Sequence, residues 1–136
     1  MKIFICCSKH FYSQIPLIKE ELEKAGHLVT LPNSYDNPGR EVEMKNIGAG
    51  EHAKWKAMML REQERKVLIN DAVVVLNFEK HGQANYIGGA TFLEIFKAFE
   101  HGRKIFLFNP IPDNLLKDEL LGMEPVILNG DLSLVV

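Results

Sequence analysis

Five short runs of apolar residues recur along the chain, and each is rich in β-branched or aromatic side chains. A run that is apolar at nearly every position indicates a strand buried on both faces, as in a parallel sheet covered by helices. The predicted strands are residues 2–7, 27–31, 72–78, 104–109 and 125–128.

Apolar residues at helical spacing fill the stretches between these runs. In the first stretch Ile15 and Ile18 fall on one face, Pro16 lies in the first turn, where proline is tolerated, and Gly26 is placed to end the helix. The predicted helices are residues 13–25, 52–69, 92–101 and 113–121. Residues 32–51 are predicted as one long loop, which at this length is more often functional or mobile than a plain connection.

The alternation of strands and helices predicts one α/β domain over residues 1–136. Because crossovers between parallel strands are right-handed, the simplest arrangement is a doubly wound five-stranded sheet in the order 2-1-3-4-5, a flavodoxin-like or Rossmann-like three-layer sandwich. Ligands of such sheets bind beyond the carboxyl ends of the strands, near the switch point between strands 1 and 3. That rule selects four candidate binding segments, residues 8–13, 33–37, 79–91 and 109–114.

Glu94 is the residue with the most specific chemistry, since it follows the pair Gly88 and Gly89 near the predicted start of a helix. Thr91 and Glu94 have the spacing of a capping box, in which each side chain bonds the backbone amide of the other residue. Alternatively, Glu94 faces the ligand, stays ionised at the positive end of the helix dipole, and attacks a sugar carbon or stabilises an oxocarbenium ion. The glycines would let that ligand approach the backbone closely.

Polar side chains in the other segments are candidates for ligand binding. The loop after strand 1 suits an anion such as a phosphate, although a helix capped by Ser13 explains that loop equally well. Asparagines at strand ends can bond a ligand, and turn formation explains them almost as well. The binding candidates are Ser8, Lys9, His10, Tyr12, Asn33, Asp36, Asn77 and Asn109. The histidines show no metal-ligand spacing, so no metal site is predicted.

The charge balance restricts the class of partner. The 16 basic and 18 acidic residues nearly cancel and are mixed along the chain, which excludes a basic stripe for a nucleic-acid polymer or an anionic membrane. No apolar run reaches the ~20 residues of a membrane span. Cys6 and Cys7 are adjacent and are expected to be buried thiols in a reducing compartment. We expect a cytoplasmic protein with a small-molecule ligand and no cofactor.

Four segments follow one another along most of the chain: MKIFICCS, a polar helix that leads into NDAVVVLN, a glycine-containing loop, and FLEIFKAFEHGRKIFLF. In this order they resemble the nucleoside 2-deoxyribosyltransferases and their relatives, the deoxynucleoside 5′-monophosphate N-glycosidases. The resemblance implies that Glu94 is the nucleophile of a retaining reaction at the N-glycosidic bond and that Ser8 and its neighbours hold the sugar or phosphate. It also implies a homodimer or higher homo-oligomer, with Trp55, Met58 and Met59 as a contact patch.

Gln63 departs from the family pattern, because by position it replaces an aspartate on the helix before strand 3. A neutral amide has no acidic proton to give to a leaving base. Either Glu62, Glu64 or Asp36 takes over as the acid, or the chain binds a nucleotide without cleaving it.

A second resemblance is carried by GGATFLE, which is similar to the Gly-Gly-x-Gly-Thr-x-x-Glu motif of the cytokinin-activating phosphoribohydrolases, one residue short. It implies N-glycosidic cleavage with release of ribose 5-phosphate. The glycine-rich stretch of that family after strand 1 is missing here. A deoxyribosyltransferase-like function is therefore the first prediction, and the phosphoribohydrolase function is an alternative.

Overall fold

The computed structural model describes residues 1–136 and contains one sheet of five parallel strands. The strands are β1 Lys2–Cys6, β2 Leu28–Thr30, β3 Ala72–Val75, β4 Lys104–Leu107 and β5 Val126–Ile127. Their order across the sheet is β2-β1-β3-β4-β5. The fold class and strand order predicted from the sequence are therefore confirmed.

Five α-helices connect or precede the strands: α1 Ile15–Lys24, α2 Arg40–Ile47, α3 Ala49–Leu68, α4 Gly89–Glu100 and α5 Lys117–Gly122. There are also two 3₁₀ segments: Lys9–Gln14 precedes α1, and Leu132–Leu134 follows β5. Gly26 follows α1 with a φ of 92°, a left-handed conformation that glycine adopts without strain, as the sequence predicts. None of the helices combines the length and the hydropathy needed to cross a membrane.

The sheet buries two layers of apolar side chains, because alternate residues of a strand point to opposite faces. On β1, Ile3 and Ile5 pack in one layer with α1, whereas Phe4 and Cys6 pack in the other layer with α3 and α4. All four residues are fully buried, and β1 pairs with strands on both sides. This burial on both faces explains why the strand segments are nearly continuous in their apolar residues.

The prediction of one long loop is wrong in its second half, since residues 40–47 form α2 and α3 begins already at Ala49. Met44 is the one buried residue of α2. The segment therefore lacks the repeating apolar stripe by which a helix is recognised in a sequence. Tertiary contact with α3 supplies the stabilisation that the local pattern does not show.

The start of α1 also differs from the prediction. Ser13 lies inside the first 3₁₀ segment and does not cap the helix. Ser8 acts as the cap of that segment instead, and its Oγ accepts a hydrogen bond from the His10 backbone N–H at 3.3 Å. The loop after β1 is thus held in a compact turn over the end of the sheet.

Leu107→Ala is expected to lower the free energy of unfolding by about 2–5 kcal/mol, because a fully buried leucine leaves a cavity when it is truncated. Leu115→Ala is the matched control, since Leu115 is 88% exposed and its truncation should change stability by no more than ~0.5 kcal/mol. Urea unfolding of both variants measures the difference. Equal costs at the two positions would contradict the assigned core.

Candidate functional site

A crevice of about 250 Å³ opens beyond the carboxyl ends of β1 and β3, at the switch point of the sheet. Its walls come from the turn after β1, the segment after β2, α2, one face of α3 and the first turns of α4. Eight predicted site residues line it: Ser8, Lys9, Tyr12, Asn33, Gln63, Gly88, Gly89 and Glu94.

Glu94 lies in the second turn of α4 and forms part of the inner wall, where the residue is 5% exposed. The helix begins at Gly89 with Gly88 as its N-cap, so both Thr91 and Glu94 are inside it. Residues at these positions cannot form the reciprocal bonds of a capping box. The interpretation of Glu94 as a helix cap is therefore wrong.

Burial raises the pKa of the Glu94 carboxyl group from 4.5 to about 8. The positive charge of Lys66 and the polar side chains of Cys6 and Gln63 lower the pKa but do not offset burial. These three groups make their well-aligned hydrogen bonds elsewhere: Gln63 Nε2 donates to Ala90 O at 3.3 Å, and Lys66 and Cys6 donate to other backbone carbonyls. The expectation that Glu94 stays ionised at neutral pH is therefore wrong.

Two thiols and a phenol surround this carboxyl group. Burial raises the pKa of Cys6 far above its usual range and that of Cys7 to about 12, and the neighbouring Glu94 adds to both shifts. Burial also raises the pKa of Tyr12. All three groups are neutral near pH 7, and the prediction that the cysteines are buried free thiols is confirmed.

One face of α3 forms another wall of the crevice. Trp55, Met59 and Gln63 are spaced four residues apart and lie on the same side of the helix. Met58 does not line the crevice and is 61% exposed. The predicted contact patch of Trp55, Met58 and Met59 is therefore divided, and two of its three members belong to the crevice.

Gly88 and Gly89 border the crevice at the start of α4. Their backbone angles do not require glycine, since Gly88 has a φ of −82° and Gly89 is helical. A Cβ atom at Gly88 would lie 3.2 Å from the Tyr86 hydroxyl, and one at Gly89 would meet nothing within 4 Å. Glycine therefore leaves space beside the first N–H groups of the helix, which have no intrahelical acceptor.

Glu41 of α2 is a crevice residue that the sequence analysis missed. Although partial burial opposes ionisation, hydrogen bonds from His52 at 3.0 Å and Lys56 at 3.1 Å lower the pKa of Glu41 to about 2. The carboxylate ties α2 to α3 beside the crevice. No sequence signal marks this contact, because its partners lie 11 and 15 residues further along the chain. Cys7 and Lys56 are further lining residues that the sequence did not predict, whereas Ser34 and Lys80 lie in the candidate segments 33–37 and 79–91.

Six predicted residues lie outside the crevice: His10, Asp36, Glu62, Glu64, Asn77 and Asn109. Glu62 forms an exposed pair with Arg65, at 3.0 Å from its Nε. Glu64 lies on the side of α3 that faces α4, with an oxygen 3.8 Å from Lys97 Nζ. The two glutamates that flank Gln63 are thus held away from Glu94, because neighbouring helix positions point in different directions.

Asn77 and Asn109 form hydrogen bonds with each other. Asn77 Nδ2 donates to Asn109 O at 2.9 Å, and the Asn109 backbone N–H donates to Asn77 Oδ1 at 2.8 Å. Asn77 is fully buried. The pair joins the segments that follow β3 and β4, which is a structural role at the edge of the sheet.

Asn33 has a polar atom without a partner at the crevice wall. Its Nδ2 donates to Met59 O at 2.9 Å, and this bond sets the orientation of the amide because a carbonyl can only accept. The Oδ1 atom is buried and has no hydrogen-bond partner. A buried acceptor in this condition costs about 1–3 kcal/mol until a donor reaches it.

Glu94→Gln is expected to remove a pH dependence of stability. Between pH 4.5 and about 8 the unfolded chain loses the Glu94 proton while the folded protein keeps it, so the free energy of unfolding falls as the pH rises. Each displaced pKa unit is equivalent to ~1.4 kcal/mol at most, and glutamine has no such proton. Urea unfolding at about pH 5 and about pH 8 measures the free energy of unfolding of both proteins. The value for the variant relative to the wild type should be higher at about pH 8 than at about pH 5. Parallel stability curves would contradict the raised pKa.

No protein-family model matches the chain, and no curated protein matches its sequence. The functions that the resemblances to the deoxyribosyltransferases and phosphoribohydrolases imply accordingly remain predictions. No three His, Cys, Asp or Glu side chains lie together in a way that could hold a metal ion. The crevice offers one buried carboxyl group, one ion-paired carboxylate, amides, hydroxyls and the ammonium groups of Lys9 and Lys80. Such a set suits a neutral or anionic polar ligand.

Proposed function

We propose that this protein binds a nucleoside or nucleoside 5′-monophosphate in the crevice and breaks its N-glycosidic bond, with Glu94 as the reacting group. The observation that carries the proposal is the buried Glu94 carboxyl group, which faces a polar crevice at the switch point of the sheet. A strongly perturbed carboxyl group in a cleft is typical of a functional site. The structural alternative, a helix cap, does not fit the position of Glu94 in α4.

The dimensions of the crevice support a ligand of this size. The Trp55-to-Gln63 face of α3 extends for ~12 Å, since a helix rises about 1.5 Å per residue. A nucleoside placed along this face with its anomeric carbon at Glu94 reaches toward the indole of Trp55. Aromatic and apolar side chains at that end suit the base, because bases stack on aromatic rings.

The polar groups of the crevice support the same orientation. Ser8 and Lys9 in the turn after β1 provide a hydroxyl and an ammonium group for the sugar or a 5′-phosphate. Lys80, whose Nζ lies 4.6 Å from the centre of the Tyr86 ring, adds a second positive charge from the loop after β3.

Gln63 favours a second candidate function, a nucleotide-binding module without catalytic activity. Its amide donates to Ala90 O and has no acidic proton. The acidic neighbours Glu62 and Glu64 do not line the crevice. A protein of this kind would bind the same ligands and release no base.

A homodimer also stays a prediction. Three apolar side chains on α4, Leu93, Phe96 and Phe99, are 46%, 41% and 50% exposed and would be covered by contact with a second copy. Sedimentation or light scattering of the purified protein measures the oligomeric state directly.

Incubation with ribo- and deoxyribonucleosides and their 5′-monophosphates is expected to release free base, which chromatography detects. Glu94→Gln should lower the release by a factor of about 100 or more while ligand binding is retained, because the lost group acts in the chemical step. Glu100→Gln is the matched control on the same helix: Glu100 is exposed and pairs with Lys97, so release should not change.

The two candidate functions give different results in this experiment. Absence of release from every compound, together with a rise in melting temperature on addition of a monophosphate, would reject cleavage and favour the binding module. Absence of both release and binding would reject the two functions together.

A further inference from the structure

The carboxyl groups of the crevice have unequal surroundings. Glu41 and Glu94 are the two acidic residues that line it. The Glu41 carboxylate accepts hydrogen bonds from both His52 and Lys56, so it is already paired within the protein. Glu94 forms no ion pair and is therefore the one carboxyl group of the crevice that is available for reaction.

The groups that face Glu94 stabilise its charge too weakly to offset its burial. Cys6 is the last residue of β1, Cys7 follows it, and Tyr12 comes from the 3₁₀ segment; all three are neutral near pH 7. Gln63 and Lys66 come from α3, and their hydrogen bonds go to backbone carbonyls. Lys66, Cys6 and Gln63 favour the charged form of Glu94, but their combined effect on its pKa is smaller than the effect of burial, so the carboxyl group stays largely protonated near pH 7.

A retaining reaction needs two different groups. The nucleophile attacks the anomeric carbon from the side opposite to the leaving base, and an acid on the side of the base donates a proton to it. One carboxyl group cannot occupy both sides of the sugar. Since Gln63 cannot act as the acid and Glu62 and Glu64 lie outside the crevice, a nucleophilic Glu94 would leave the departing base without a carboxylic acid as its proton donor.

We infer that Glu94 is the proton donor to the leaving base and that the reaction is a hydrolysis with water as the acceptor of the glycosyl group. This inference rests on the proposed function and assigns the role of its reacting residue. It differs from the nucleophilic role that the family resemblance implies, and it excludes transfer through a glycosyl-enzyme.

The reaction consumes only the substrate and one water molecule. The Glu94 proton moves to a ring nitrogen of the base, and the electron pair of the glycosidic bond leaves with that base. Water adds to the anomeric carbon of the resulting oxocarbenium ion and loses one proton to solvent, and Glu94 takes up a proton again. The products are the free base and the free sugar or sugar phosphate.

The raised pKa of Glu94, at about 8, supports this role, because most of the folded protein then carries the proton at pH 7. An acid works best when its pKa lies close to the working pH. A nucleophilic carboxylate would instead need the minor, ionised form.

The pH profile of the wild-type protein provides the first test and needs no variant. For any substrate found in the panel, kcat/KM should fall about tenfold per pH unit above the pKa of about 8, because the active form is the protonated one. A nucleophilic Glu94 would give the opposite result, a kcat/KM that rises with pH through this range.

A nucleotide of N7-methylguanine provides the second test, because its base is already cationic and leaves without protonation. Glu94→Gln should lose a factor of about 100 or more on guanine nucleotides but less than about tenfold on the methylated ones, with Glu100→Gln unchanged on both. Equal losses on both substrates, or a mass increase of the quenched protein by one glycosyl group, would overturn the inference and restore the nucleophile. Absence of release from every nucleotide, methylated or not, would reject the proposed function and the inference with it.

Discussion

The pairing of β1 with β2 on one side and β3 on the other is the constraint on which the site depends. Parallel strands end at the same edge of a sheet, and the register places Cys6 beside Val75. The turns that follow these strands therefore pass over the same edge. Because α1 and α3 cover opposite faces of the sheet, the chain leaves an opening at this edge. That opening is the crevice.

The burial of Glu94 shows how this edge differs from the rest of the core. A carboxyl group away from water favours its neutral form, and an apolar residue of the same size would be the more stable choice at such a position. The folded protein nevertheless keeps an acid there, beside hydroxyls, amides and a glycine pair. Proteins give up stability in this way chiefly at functional sites.

Glu41 and Glu94 both line the crevice, but the pKa values of their carboxyl groups are displaced in opposite directions. Although partial burial opposes ionisation, hydrogen bonds from His52 and Lys56 lower the pKa of Glu41 to about 2, whereas burial raises that of Glu94 to about 8. Environments that displace two carboxyl groups in opposite directions assign them different roles. Glu41 holds α2 against α3, whereas Glu94 forms no ion pair at the wall of the crevice.

The sequence by itself determined the sheet, its order and the neighbourhood of Glu94, because strand and helix periodicities are local and the rules of parallel connection leave few topologies. The tertiary structure alone decided that Glu94 is buried and uncharged, that α2 brings Glu41 to the crevice, and that Asn77 is bonded to Asn109. These properties depend on contacts between distant parts of the chain, such as the bond from Gln63 to Ala90 across 27 residues. Local pattern does not encode such contacts, since burial and pKa are set by the neighbours that folding brings together.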